Sequence, residues 1–323
     1  MKLKTIYASL KNDLSFIESE LEQTVNAHHP VLRDASNHLL KAGGKRIRPV
    51  FVLLSGKFGD YNLVLMKNVA VALELIHMAS LVHDDVIDDA EMRRGKKTIK
   101  AKWDNRVAMY TGDYIFARAI ELVTELKEPS ANTILSNAIL EMSIGEIEQI
   151  KDQFNWDQNV RDYFRRIKRK TALLIATSCE LGAVAAGASK AEQRHLKQFG
   201  YYVGMSYQIT DDILDYTGTV KELGKPAGGD LLQGNITLPV LYAMNQDNKK
   251  HEIMDIFSKE LNTSQEKVNQ VISIVKSSGG IEFSQRISDR YLQKAFNELD
   301  QLPSQSARTS LRQIAEYIGK RKH

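Results

Sequence analysis

Residues 73–88 read LELIHMASLVHDDVID, an apolar run that ends in Asp84-Asp85-Val86-Ile87-Asp88. Residues 203–215, VGMSYQITDDILD, repeat the ending as Asp211-Asp212-Ile213-Leu214-Asp215. Each cluster places carboxylates at i, i+1 and i+4. On a helix, i and i+4 lie one above the other, about 6 Å apart. An isolated acidic cluster reads as a solvated helix face. These two emerge from apolar helices that a fold would bury, through Leu73, Leu75, Ile76, Met78, Ala79, Leu81 and Val82 in one case and Val203, Met205 and Ile209 in the other. A buried charge must be paired, metal-bound or neutralised. Magnesium takes carboxylate oxygens together with substrate phosphates. Two such walls facing each other across antiparallel core helices would cage a metal-bridged diphosphate.

Around these clusters, apolar residues recur at three- and four-residue spacing, as in Leu65, Val69, Leu73 and Ile76, and strand signals are almost absent. Breaks fall at Gly43-Gly44 with Pro49, from Gly95 onward, at Glu128-Pro129-Ser130, over Gly187 to Lys190 and Gly218 to Gly234, and at Ser277-Ser278-Gly279-Gly280. These are cap and turn signals between helices. The expectation is an all-α fold, one single large helical bundle over residues 1–323 around a central cavity.

Composition narrows the function. The net charge is only +4 over 323 residues, and no basic stripe with interleaved aromatics is present, so nucleic acid is not an expected partner. The single Cys179 excludes an intrachain disulfide framework and fits a reducing, cytoplasmic setting; within its apolar run it reads as an inert buried thiol. The N-terminus lacks an apolar signal core. The apolar stretch Thr171 to Ala188, interrupted by Glu180, reads as a core helix rather than a membrane span.

Cations surround the acidic clusters. Arg93-Arg94-Gly95 follows the first, and Gly43-Gly44-Lys45-Arg46-Ile47-Arg48-Pro49 sits at a helix break. Arg forks onto phosphate oxygens and Lys offers a compact charge; Gly44 lets backbone amides approach an anion. His77 lies seven residues before Asp84, on the same face. Lys170 ends the run Arg165-Arg166-Ile167-Lys168-Arg169-Lys170, which otherwise reads as a solvated face. Thr171, Gln208 and Lys225 complete the polar set.

These motifs resemble those of the trans-isoprenyl diphosphate synthases, the polyprenyl synthetase family. The resemblance rests on Gly43 to Pro49, His77 to Asp88, Arg93-Arg94-Gly95, Gly145-Glu146 with Gln149, Lys170-Thr171, Tyr207 to Asp215 and Gly224-Lys225, in the family's order along most of the chain. Within the family the chain is most similar to catalytic large subunits of bacterial medium- and long-chain synthases. The resemblance implies that Asp84 and Asp88 ligate magnesium with Asp85 in support, and that Asp211 ligates a further ion with Asp212 and Asp215 nearby, about three ions in all. It implies that Arg93 holds an allylic diphosphate, that Gly44, Lys45, Arg48, His77 and Arg94 hold isopentenyl diphosphate, and that Lys170, Thr171, Gln208 and Lys225 contact the allylic substrate near its leaving group. Diphosphate then departs to leave an allylic cation, the isopentenyl double bond attacks, and a proton is lost. No nucleophilic Ser or Cys is required.

The resemblance further implies a product serving the menaquinone side chain, a homodimer or a heterodimer with a small regulatory subunit, and a cytoplasmic enzyme that meets the membrane peripherally to release its product. Two positions depart from the family's pattern: Gly234-Asn235 stands where a Lys is common, and Tyr207 replaces a Phe. Two other readings remain open on the sequence. A terpene cyclase shares the metal-triggered ionisation but would not need Gly43-Gly44-Lys45. A non-catalytic subunit would show eroded carboxylates, whereas all six Asp are present.

Overall fold

The computed structural model describes residues 2–126, 128–219, 226–246, 248–258 and 264–319. Among them the fold is all-α apart from one short hairpin. The chain divides into two compact units, and each is described by itself. The first comprises Met1–Asn137, Thr177–Lys197 and Gln301–Gln313; the second comprises Ala138–Ala176, Gln198–Asp300 and Ile314–His323.

The first unit is organised by the helix Leu63–Ile87. Asn62 caps it by accepting a hydrogen bond from the Val64 amide at 2.9 Å, which satisfies one of the amides a helix start leaves unpaired. Met66, Val69, Leu73 and Ile76 recur at three or four residues and are fully buried, but so are Ala70, Val71, Ala72 and Leu75. The helix is covered nearly all round, which marks a core element rather than an amphipathic surface one. It packs against Asn105–Thr124 and Ile47–Gly56. It is also the one described helix long and apolar enough to cross a membrane, and 67% of that apolar window is inside the protein. Cys179, on the helix Leu173–Ala185, is fully buried; burial pushes its thiol up to about 12, so it stays protonated and inert.

The second unit gathers around Met205, Ile209, Ile213 and Tyr216, one stripe of the helix Lys190–Thr217. Leu231, Ile236 and Leu238 pack onto that stripe together with Val268, Val271 and Val275 of the helix Gln265–Ser277. The acidic cluster is therefore carried on a helix whose orientation is fixed by its apolar neighbours. Between Val160–Ile167 and Leu173–Ala185 the backbone makes a π-turn over Lys168–Ala172.

Most of the expected helix breaks coincide with observed ends, and Pro30 and Pro239 sit at the first turn of their helices, where the missing amide hydrogen costs nothing. The hairpin departs from the expected pattern. Met92–Arg93 pairs antiparallel with Lys96–Lys97. The linking residues Arg94 and Gly95 have φ of 52° and 74°. Positive φ at both central positions is the turn type whose twist suits a two-residue hairpin.

Candidate active site

Each acidic cluster sits at the C-terminal end of its helix. Asp84, Asp85 and Asp88 occupy the last turn and cap of Leu63–Ile87, and the Asp88 amide donates to the Asp84 carbonyl at 2.8 Å, so the i, i+4 stacking holds. Asp215 lies in the final turn of Lys190–Thr217. The helix macrodipole is negative there, so carboxylates gather where the backbone also repels them. A bound cation answers both repulsions.

The six aspartates divide by environment. Asp84 and Asp88 are half-buried and Asp211 is exposed. Asp85, Asp212 and Asp215 are buried and engaged by the protein itself. Arg93 donates through Nε to Asp85 at 2.7 Å. Burial raises the Asp85 carboxyl, Arg93 pulls it back, and the charges of Asp84 and Asp88 raise it again. Asp212 accepts from the Tyr163 hydroxyl at 2.6 Å and from Gln208 Nε2 at 2.8 Å. Burial pushes its carboxyl up, against the pull of those two donors. Asp215 accepts the amides of Gly229 and Asp230, each at 3.1 Å, and so ties the helix end to the segment that follows it.

Among the described residues, no three His, Cys, Asp or Glu side chains converge into a self-sufficient metal cage. That suits magnesium, which is bound through one or two carboxylates and completed by substrate phosphates and water. The accessible carboxylates Asp84, Asp88 and Asp211 are hard oxygen donors of the right kind.

The first unit also assembles cations around His77. Its imidazole is held well below the usual range by burial and by the charges of Arg48, Arg94, Arg93 and Arg46, so it stays neutral beside them. The hairpin places two of these, Arg93 and Arg94: Arg94 donates to the Gly43 carbonyl, and Lys96 beyond the turn reaches the Lys41 carbonyl at 2.5 Å. A Cβ on Gly44 would come within 2.6 Å of the Arg94 guanidinium. Arg46, in left-handed conformation with φ 47°, forks onto Glu18 with two 2.8 Å hydrogen bonds and reaches Glu74 at 3.3 Å. Burial would lower its basicity, but Glu18 and Glu74 more than offset that. Tyr7 donates to the Lys45 carbonyl. Two N-terminal helices thus grip the Gly43–Arg48 segment.

In the second unit, Lys170 donates to Gln149 Oε1 at 2.9 Å and lies 3.7 Å from Glu146. The Thr171 hydroxyl donates to Gln208 Oε1 at 2.5 Å. Lys225, expected at the site, lies outside the described residues. The basic run before Lys170 corrects the expectation of a solvated face. Arg166 is buried, donating to Gln158 at 2.8 Å and to the Ile236 carbonyl at 2.6 Å. Arg169 bridges Glu141 and Glu148. Only Arg165 and Lys168 of the run are exposed. Sequence reasoning missed Tyr163, Arg46, Glu18 and Glu74. Their partners lie 28 to 49 residues away, and Tyr163, set among Arg161, Asp162, Arg165 and Arg166, gives no local sign that its hydroxyl needs a buried acceptor.

A family model described as polyprenyl synthetase matches residues 29–275. The chain belongs to the polyprenyl synthetase family. It is 61% identical, over 100% of its length and 92% of the relative's, to heptaprenyl diphosphate synthase component 2 of Bacillus subtilis (strain 168). A crystal structure of heptaprenyl diphosphate synthase from Staphylococcus aureus is 41% identical with a TM-score of 0.92, covering 97% of this chain and 99% of that one. A polyprenyl synthase from Caulobacter crescentus CB15, complexed with calcium and isoprenyl diphosphate, is 29% identical with a TM-score of 0.92, covering 98% and 97%. The chain is an enzyme of the all-α isoprenoid synthase fold, a chain-elongating trans-prenyltransferase.

Proposed function

We propose that this polyprenyl synthetase condenses an allylic diphosphate, with farnesyl diphosphate as primer, with successive isopentenyl diphosphates in a magnesium-dependent reaction. The observation that carries the reading is the placement of Asp84, Asp88 and Asp211 as accessible carboxylates near helix ends, each beside a buried aspartate that the protein itself engages. Asp84 and Asp88 would ligate magnesium and Asp211 a further ion, as the calcium in the Caulobacter relative and the donor chemistry support. When bound, the metal offsets the negative charge that grows on the leaving diphosphate. Asp85 is kept in place by Arg93, which is thereby aimed from the hairpin toward the same diphosphate. Lys45, Arg48, Arg94 and neutral His77, with Gly44 allowing close approach, take the isopentenyl diphosphate. Lys170, Thr171 and Gln208 contact the allylic substrate beside its leaving group, with Lys225 as a further contact. Asp212 and Asp215 orient the second cluster. No acid–base side chain is needed, because a diphosphate oxygen takes the proton lost after attack.

The product is an all-trans polyprenyl diphosphate of about six to eight isoprene units, because Ala79 and Ser80 leave the helix face one turn below Asp84 free of bulky rings. It serves the menaquinone side chain, in a cytoplasmic enzyme that meets the membrane at its surface. The Bacillus relative is called a component 2, which supports a partner subunit here. An exposed stripe supports it too: Leu140, Ile144, Ile147 and Ile150 share one face of the helix Pro129–Asp152, at 58%, 38%, 68% and 46% exposure, more apolar surface than a helix facing water keeps. The test is radiolabelled isopentenyl diphosphate with farnesyl diphosphate and Mg²⁺, the chain alone and with a small partner subunit, products resolved by length. No metal-dependent extension under either condition would overturn the reading.

A further inference from the structure

The second unit holds a hydrogen-bonded chain that ties Thr171, Gln208 and Asp212, which already have roles, to Tyr163, which has none. Tyr163, fully buried, donates to Asp212 Oδ2 at 2.6 Å. Asp212 Oδ1 accepts from Gln208 Nε2 at 2.8 Å, and Gln208 Oε1 accepts from Thr171 at 2.5 Å. Every polar atom in the chain has its partner, so the orientation of each group depends on the others. Two members, Tyr163 and Thr171, come from one helical segment; the other two, Gln208 and Asp212, are a single turn apart on Lys190–Thr217.

The spacing between Tyr163 and Thr171 is eight residues. On an uninterrupted α-helix, residues eight apart are rotated by about 80°, and the two side chains could not meet the same turn of a neighbouring helix. The π-turn Lys168–Ala172 begins five residues after Tyr163 and takes in Thr171. A π-turn closes i→i+5 bonds and so takes in one extra residue. Thr171 lies inside the widened turn, so the rotation between it and Tyr163 falls short of about 80° and the two side chains move toward one face. The two segments are also in tight contact there, since a Cβ on Gly204 would lie 2.4 Å from the Ala172 Cα. A helix pair packed this closely leaves no room for a register error.

We propose that Tyr163 is a positioning residue for the second acidic cluster, and that the π-turn at Lys168–Ala172 sets the register that brings it and Thr171 onto Gln208 and Asp212. Tyr163 meets no substrate. It fixes the buried carboxylate next to Asp211, and so the direction in which Asp211 is presented. The inference rests on the reading of Asp211 as a metal ligand.

The test uses the full chain and inorganic pyrophosphate as probe. Its magnesium-dependent binding is measured by titration calorimetry, alongside steady-state kinetics. Tyr163→Phe is expected to weaken that binding about tenfold, the usual effect of removing a group that orients a metal ligand. The KM for isopentenyl diphosphate should stay unchanged, a split that general loosening would not produce. Deletion of the exposed Lys168, which removes the extra residue, should give the same phenotype, and combining it with Tyr163→Phe should add nothing. Wild-type affinity in a folded Tyr163→Phe protein would overturn the proposal, and so would loss of the folded state, which would make Tyr163 a residue of the fold alone. A deletion variant with wild-type affinity, or one that does not fold, would overturn the part assigned to the π-turn. Asp211→Ala separates the two levels: if it abolishes magnesium-dependent binding while Tyr163→Phe does not change it, the metal reading stands and this one falls; if Asp211→Ala leaves binding intact, the metal reading itself has failed.

Discussion

Two aspartates one residue apart do different work in this chain. Asp84 is half-buried at the helix end, while Asp85 is buried against Arg93. Asp84→Ala or Asp211→Ala is therefore expected to abolish turnover while circular dichroism stays at wild-type helicity, because neither side chain belongs to the core. Asp89, exposed and paired with Lys100, should tolerate Ala; near-normal turnover of Asp84→Ala at saturating Mg²⁺ would refute the assignment. Around His77, Lys45→Ala or Arg48→Ala should raise the KM for isopentenyl diphosphate about ten- to a hundredfold, since a lost charge-assisted contact costs roughly 1.5–3 kcal/mol. Equal rises for both substrates would reject the division into two diphosphate sites. The residues of this scale were legible where their chemistry is local: a carboxylate pattern or a Gly-Gly-Lys segment carries its spacing with it. Tyr163 and Arg46 were not, because what they do is decided by Asp212 and Glu18 arriving from elsewhere in the chain.

The hairpin and the π-turn show the same division among elements. Gly95 signalled a turn, but Arg94 in the left-handed region is not announced by its residue type, and a strand of two residues is too short for alternation to register. The π-turn follows no propensity at all; Lys-Arg-Lys-Thr-Ala would continue an α-helix. The long helix Leu63–Ile87, by contrast, was plain from its period, and its interior supports a prediction of its own. Ala79 is fully buried and Ser80 is half-buried, its hydroxyl turned back onto the His77 carbonyl at 2.9 Å. Ala79→Phe and Ser80→Phe should shorten the product to about three or four isoprene units if the tail grows down this face, with the first condensation kept fast. Full-length product from both would place the growing tail elsewhere. Midway along the same helix lies Glu74, and Arg46→Met should cost about 3 kcal/mol of unfolding free energy in a urea titration, since it strands that buried carboxylate. A change below about 0.5 kcal/mol, the range of a neutral surface substitution, would show that Glu74 has another partner.

For the whole chain, periodicity was enough to call for an all-α fold, because helical period is repeated in every segment and so survives local errors. Which faces remain uncovered was not legible, since an apolar stripe reads alike whether it meets the core or a partner. The stripe of Leu140, Ile144, Ile147 and Ile150 is the place where this matters. Ile147→Glu is expected to break association, seen as a fall in mass by light scattering coupled to size exclusion, with the helix content retained. A wild-type chain that is monomeric both alone and with a candidate small subunit would remove the stripe from consideration as an interface.

Both acidic clusters lie where a helix runs out of backbone partners and its dipole is least hospitable to negative charge. Without cations, those last turns hold stacked carboxylates against the dipole and should open readily. Amide hydrogens over Asp85–Asp89 and Asp212–Thr217 ought then to exchange with deuterium rapidly in chelator and slowly once metal and diphosphate are supplied, while those of Val69–Ile76 exchange alike in both. Such a chain would wait half-unlatched at its two active ends, and its substrate would complete its secondary structure.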